Sequence, residues 1–334
     1  VDTGKILWEY QAKLDQKINT ICCGWVSRGV ALGDGKVYIG QLDGLLVALD
    51  QRTGKVAWQT EVGDWRKGYT ITNAPLYYDG MVITGISGGE FSVRGRIQAY
   101  DAKTGKLRWR FHTIPGPGEV GHDTWPANTD AWQHGGAPVW QTPAIDPELG
   151  LLYFSTGNAS PDLDGSKREG DNLFAASMVA IDAHTGKYRW HFQQVHHDIW
   201  DYDAPSPVIL FDVEIDGEER KGLAEASKTG WLYLLDRETG KPLLPIPEKP
   251  VPQLAIQKTA KTQPIPSYPP YIPHEVSDKG FAQIQKLAKQ NADGKAPTVT
   301  RAKQIYTPFG EDVVAVTPGP LVTRATPHLP VARA

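Results

Sequence analysis

The sequence predicts an all-β fold, a β-propeller of four-stranded blades, on three observations. Thr-Gly-Lys recurs at residues 3–5, 53–55, 104–106, 185–187 and 239–241, and a Trp follows at the same offset in four of the five copies, as Trp8, Trp58, Trp109 and Trp190. Each full copy reads as an apolar run ending in Asp, a turn carrying the Gly, and a second run opening toward the Trp, as from Val47 through Asp50 to Trp58. Two strand-forming runs joined by Asp and Gly make a β-hairpin. Composition agrees, since 34 Gly, 26 Pro and 11 Trp supply many tight turns and aromatic anchors. Five unrelated hairpins are the competing reading, and the constant Trp offset argues against them.

Copies separated by 50, 51, 81 and 54 residues suit one blade each, the long interval implying an insertion near 112–140. The first copy, ending at Trp8, is truncated. Between copies the strands are legible at Val37 to Gly40, Leu45 to Leu49, Met81 to Thr84, Leu151 to Ser155 and Trp231 to Leu235. Propeller blades are thus expected over 1–245. Residues 246–304 read as a Pro-rich insertion with a short amphipathic helix at 276–290. Residues 305–334 read as the start of a further blade, strand-like over 305–316, and an irregular tail from Val322 to Ala334. Five blades would leave long unpaired edges, so more blades are expected than this chain supplies. The chain opens on Val1 inside a repeat copy and is read as a fragment without its original N-terminus or signal peptide.

A formal charge of −3 with 22% charged residues shows neither a nucleic-acid footprint nor an acidic tail. No apolar run approaches the roughly eighteen residues a membrane span needs.

The densest chemistry lies at 196–203, His-His-Asp-Ile-Trp-Asp-Tyr-Asp. If this stretch is extended, Asp201 and Asp203 point to one side, and their like charges call for a cation or a shared proton. A solvated acidic loop is the plainer alternative. Cys22 and Cys23 are adjacent, their Cα atoms about 3.8 Å apart across a trans peptide, so they are either a strained ring disulfide or two neighbouring thiols. Ser87-Gly88-Gly89-Glu90 puts a carboxylate on a Gly-rich turn where a ligand can approach the backbone, though Gly-Gly-Glu is also a common turn. Trp140 follows another Gly-rich turn and can stack under an aromatic ligand or fill a blade interface. Asn158 closes a strand, a position where Asn is often structural. Together Glu90, Asn158 and Asp201 fall near strand ends, and an oxygen set of two carboxylates and an amide suits a hard cation such as calcium. Adjacent His196 and His197 are poorly spaced for zinc.

These residues in combination resemble a known family. The repeat, Cys22-Cys23 followed by Ser27-Arg28-Gly29, the Ser87 to Glu90 turn with Val93-Arg94-Gly95 after it, Trp140 eighteen residues before Asn158, and Trp200-Asp201 are similar to the pyrroloquinoline quinone (PQQ) dependent alcohol dehydrogenases of the methanol and ethanol dehydrogenase type, over roughly residues 1–245. The resemblance implies an eight-bladed propeller lacking its first and last parts here. It implies a Cys22-Cys23 ring disulfide on one face of PQQ and Trp140 on the other, with Arg28, Thr72 and Ser87 bonding the quinone carboxylates beside Gly88 and Gly89. Glu90, Asn158 and Asp201 would hold the cation, Asp201 would also be the general base, and Lys228 matches a basic residue near the reactive quinone oxygens. The implied reaction oxidises a small alcohol, the cation polarising the quinone carbonyl while a carboxylate takes the proton and hydride moves to the quinone.

The departures are specific. Pro138 stands where a hydrogen-bonding Thr is common in the methanol enzymes. An upstream Glu and a downstream Gly-x-Asn-Trp segment of the family pocket are absent, so the chain alone is expected to be incomplete for activity. Asp203 stands where calcium-dependent methanol enzymes carry Ala and lanthanide-dependent members carry Asp, which adds it to the candidate metal ligands and favours a trivalent ion. The octapeptide also resembles the sugar and polyol branch. Without a Cys-x-x-Cys-His motif there is no covalent haem in this chain, so electrons would pass to a cytochrome c or a quinone, in the periplasm. A cofactor-free propeller scaffold, like the outer-membrane assembly lipoproteins, has no reason to keep Cys22-Cys23, Glu90 and Asp201.

Overall fold

The computed structural model describes residues 3–290, 298–302 and 304–309, and the backbone of 313–315. Three four-stranded antiparallel meanders follow one another: β1 (Val30–Gly33) to β4 (Val56–Glu61) through β2 (Lys36–Gly40) and β3 (Leu45–Asp50); β5 (Leu76–Tyr78), β6 (Met81–Gly85), β7 (Arg96–Asp101) and β8 (Leu107–His112); and β9 (Ala144–Asp146), β10 (Leu151–Ser155), β11 (Ser177–Asp182) and β12 (Tyr188–Gln193). A three-stranded sheet of β13 (Ile209–Ile215), β14 (Glu218–Ala226) and β15 (Leu232–Asp236) comes next.

Two expectations need correction. Five repeat copies suggested five blades, whereas the described residues form four such sheets. The truncated first copy is in no strand, and the fifth has β15 as its incoming strand but makes only an isolated bridge from Leu235 to Pro242 on its return. Pro242 has no N–H for the ladder, and Leu244 stands where the other copies carry Trp. The extra length of the third interval is not one insertion near 112–140; it divides between the β8–β9 connection, 113–143, and the β10–β11 connection, 156–176.

The repeat hairpin is built by its Asp. Asp50 Oδ1 accepts hydrogen bonds from the Arg52 and Thr53 amides and the Thr53 hydroxyl at 2.9–3.1 Å, and Asp101, Asp182 and Asp236 do the same. The Trp then locks each hairpin to the next. Trp58 Nε1 donates to Ala102 O, Trp109 Nε1 to Ala183 O and Trp190 Nε1 to Arg237 O, at 3.0–3.1 Å. Each indole lies on the Gly of the following Thr-Gly-Lys, where a Cβ on Gly105, Gly186 or Gly240 would come within 2.5–2.8 Å of the ring. The first copy keeps this contact through Trp8 on Gly54.

Stacking of the sheets explains the apolar strands. Along β10, Leu152 and Phe154 join a core with Ile83 and Ala99 of the preceding sheet, while Leu151 and Tyr153 join one with Leu223 and Tyr233 of the following sheet. A strand buried on both faces has no polar side to alternate with.

In each meander the first strand begins, and the second ends, at the end opposite the Thr-Gly-Lys hairpins. Beyond β15 the chain pairs β16 (Glu248–Pro250) with β17 (Thr262–Pro264), forms α1 (Asp278–Gln290), and sets β18 (Val299–Arg301) parallel to β19 (Val313–Ala315). Of the strand-like stretch at 305–316, only β19 is a strand among the described residues. The tail from Val322 to Ala334 lies outside them.

Candidate active site

The meander rule places the candidate residues at one end. Cys22 to Arg28 lead into β1, Thr72 into β5, Trp140 into β9, and Asp201 and Asp203 into β13. Ser87 to Glu90 follow β6, Asn158 follows β10 and Lys228 follows β14, three equivalent connections between second and third strands. Bridges from Thr70 to Ser87 and from Gly136 to both Arg94 and Ala159 stitch these loops together.

One group surrounds Trp140. The Arg28 guanidinium lies over its indole, 4.8 Å from the ring centroid. The Arg28 amide donates to Thr72 O at 3.0 Å, and the Thr72 and Ser87 hydroxyls share a short hydrogen bond. The sulfurs of Cys22 and Cys23 are bonded, both residues are exposed, and Cys23 takes a left-handed φ of 66°. Gly88, at φ 107°, has no room for a side chain because a Cβ would meet Gly68 O. A Cβ on Gly89 would stand 2.6 Å from Asn158 Oδ1, and one on either Gly89 or Gly157 would stand 3.0 Å from the Pro138 ring. The Gly-rich turn thus lets the Glu90 loop lie directly on the Asn158 loop.

The second group is the octapeptide. Its premise of an extended strand is wrong: residues 196–203 are loop, and Asp201 is left-handed at φ 63°. Asp201 and Asp203 still reach one point, because Lys228 Nζ lies 3.0 Å from Asp201 Oδ2 and 2.9 Å from Asp203 Oδ2. The remaining carboxylate oxygens, Asp201 Oδ1 and Asp203 Oδ1, are buried without a hydrogen-bond partner. Burial, then the Asp203 charge, push the Asp201 carboxyl up to about 9 against the pull of Lys228. Burial opposes the charge on Lys228, but Asp203 and Asp201 outweigh it and hold the ammonium above the ordinary lysine range.

The loop is rigidly held. Asp198 accepts the Trp200 and Tyr202 amides at 2.9 and 3.0 Å. Trp200, 1% exposed, stacks on Tyr202 and donates to Thr307 O at 2.9 Å. His196 is gripped from the Pro-rich segment, its amide by Gln263 at 2.8 Å and its ring by Glu248 at 3.0 Å, while Thr259 donates to His197 O at 3.1 Å. Asp198 and both histidines therefore support the loop, and the segment beyond 245 serves as its clamp.

Sequence reasoning missed two acids here. Asp162 follows the Asn158 turn, and its charge, with that of Asp203, adds to burial in raising the Glu90 carboxyl. Glu225, 1% exposed on β14, accepts from Gln194 Nε2 at 2.6 Å and from the Ser206 amide at 3.0 Å, and burial raises it to about 8. A Glu between apolar neighbours on a central strand was the available signal for the second.

A hard cation fits part of this donor set. The two orphaned carboxylate oxygens are what such an ion would satisfy, and the amide of Asn158 donates to Ala159 O at 3.0 Å, which leaves its own oxygen turned to the Gly89 side. Among the described residues no three His, Cys, Asp or Glu side chains close to metal-ligand spacing, so Glu90 is linked to the Asp pair by charge rather than shared contact.

A family model described as the PQQ glucose/ethanol/alcohol dehydrogenase β-propeller domain matches residues 1–323. The chain belongs to this family. Quinohemoprotein alcohol dehydrogenase ADH-IIG of Pseudomonas putida is 44% identical over 251 residues, which are 71% of this chain and 35% of the relative. Among solved structures, quinohemoprotein alcohol dehydrogenase from Comamonas testosteroni aligns with a TM-score of 0.69 at 39% identity, over 79% of this chain and 42% of that one. A europium-containing methanol dehydrogenase aligns at 0.67 and 35% identity, over 72% and 46%. The chain thus spans less than half the length of these quinoproteins. Among the described residues no helix is long and apolar enough to cross a membrane.

Proposed function

We propose that this chain forms the cofactor-facing part of the propeller of a periplasmic, PQQ-dependent alcohol dehydrogenase that oxidises primary alcohols to aldehydes and passes electrons to a cytochrome c or a quinone. The observation that carries the reading is the Asp201–Asp203 pair with its two buried, unpartnered oxygens, set at the same end of the sheets as Trp140 and the Gly88-Gly89 turn. PQQ with its cation supplies the hydride acceptor and Lewis acid when bound. Trp140 would offer a ring face for stacking and the Cys22-Cys23 disulfide a cover for the cofactor's other face, while Arg28, Thr72 and Ser87 would supply donors for its carboxylates. Asp201, Asp203, Asn158 and Glu90 would hold the cation, calcium or, given the extra charge of Asp203, a lanthanide. With the cation beside it favouring its charged form, Asp201 would take the alcohol proton, and Lys228 would be the basic residue near the reactive quinone oxygens.

The test is reconstitution of the full-length protein with PQQ and either calcium or a light lanthanide, followed by dye-linked oxidation of ethanol and glucose. Quinone-dependent turnover of ethanol is expected. Turnover of glucose alone would move the assignment to the sugar and polyol branch suggested by the octapeptide, and no turnover with any metal would remove the enzyme reading.

A further inference from the structure

Asp201 and Asp203 are brought together by a side chain. The ammonium of Lys228 takes one oxygen of each carboxylate, at 3.0 and 2.9 Å, and leaves the other oxygen of each without a partner. The turn that carries Lys228 is fixed at its backbone: Gly230 N donates to Ser227 O at 3.0 Å, Thr229 N to Ser227 Oγ at 3.2 Å, and Tyr271 N to Gly230 O at 2.9 Å. The Lys228 side chain is 28% exposed and that of Asp201 23%, while that of Asp203 is 7% exposed. The cationic end can therefore leave toward solvent on its flexible stem, whereas the buried carboxylate cannot.

We propose that Lys228 is a tethered counter-ion of the cation site: it holds a positive charge between Asp201 and Asp203 in the metal-free protein and is displaced from them when a hard cation binds. The proposal rests on the assignment of Asp201 and Asp203 as cation ligands. Two carboxylates left facing each other, Asp203 buried and Asp201 half-buried, are costly, and a local ammonium offsets one of the two charges without an ion from solution. A di- or trivalent ion offers more charge and more coordination positions than an ammonium with three donors, so both carboxylates can turn their free oxygens to it. Loading is then an exchange of one cation for another, and its affinity is set partly by how firmly Lys228 holds on.

The experiment uses the full-length protein without PQQ and terbium(III) as probe. Terbium binding is read by luminescence sensitised through the nearby tryptophans, and the state of Lys228 by reductive methylation and peptide mass spectrometry. Terbium is expected to raise Lys228 methylation several-fold, with surface lysines unchanged. Lys228→Met is expected to bind terbium about tenfold more tightly and to melt at a lower temperature than the wild type only when metal-free, the difference closing once terbium is added. Binding only in Lys228→Met would support the proposal in its strongest form. Binding in both proteins with unchanged methylation and equal affinity would overturn it while leaving the cation site intact. Absence of binding in both would overturn the cation-site assignment itself.

Discussion

The Arg28 guanidinium lies over the indole of Trp140, 4.8 Å from the ring centroid, and covers a face that a planar cofactor would use. A quinone stacked on that face would replace a cation–π contact, and the displaced guanidinium would gain a carboxylate partner in exchange. Trp140→Ala in the full-length protein should weaken PQQ binding about tenfold or more, the range expected for loss of an aromatic contact and its buried area. Terbium binding should be unchanged. Equilibrium titration of PQQ by fluorescence quenching checks this, and equal affinity in the variant would remove Trp140 from the cofactor site.

Asp201→Asn keeps the shape of the side chain but cannot take a proton. Turnover should fall by at least 10²-fold, about the contribution of a general base, while PQQ binding stays measurable by the same titration. Retained activity would take the base role away from Asp201.

Asp203 offers a second free oxygen beside Asp201. Asp203→Ala removes one negative charge, which matters more to a trivalent ion than to a divalent one. Lanthanide-supported turnover should therefore drop more than calcium-supported turnover. Equal losses would end the role of Asp203 as metal selector.

The fold was legible because the repeat is short-range: Asp50, Gly54 and Trp58 lie in one hairpin, so one window contains the signal. What the repeat could not convey was its own failure, since Pro242 leaves the fifth copy without a return strand. Asp201 and Asp203 do come together, but not for the geometric reason the sequence suggested. The period-two argument assumed an extended chain, whereas Asp201 is left-handed and the pairing comes from Lys228, distant in sequence. Gln263, Thr259 and Glu248 were illegible as supports of the loop, because Pro-rich stretches carry no periodicity that says what they pack against.

The Trp–Gly contact between hairpins predicts a stability effect far from the site. Gly186 sits at φ 69° with the Trp109 ring 2.8 Å from where a Cβ would be. Gly186→Ala adds a left-handed strain and an overlap with a buried ring, together about 2–4 kcal/mol. Thermal unfolding should show it, and a shift within the scatter of surface substitutions would mean that the indole moves aside freely.

Glu225 predicts a pH dependence. Its carboxyl ordinarily titrates near 4.5, and burial raises it to about 8 in the folded chain. Below 4.5 the acid is protonated in both states and makes no difference. As pH rises from there toward 8, the unfolded chain releases the proton and the folded chain retains it, so folding stability falls across that window by up to about 1.4 kcal/mol per pH unit. The neutral acid suits its surroundings, because turning the Gln194 amide over presents its buried, unpartnered Oε1 to the acid proton. Glu225→Gln copies the neutral acid and still accepts from the Ser206 amide. Urea unfolding of the full-length protein at pH 5 and pH 8 should show a smaller loss of stability in this variant than in the wild type. An equally steep loss in both would place the pH dependence on other groups and leave Glu225 ionised in the fold.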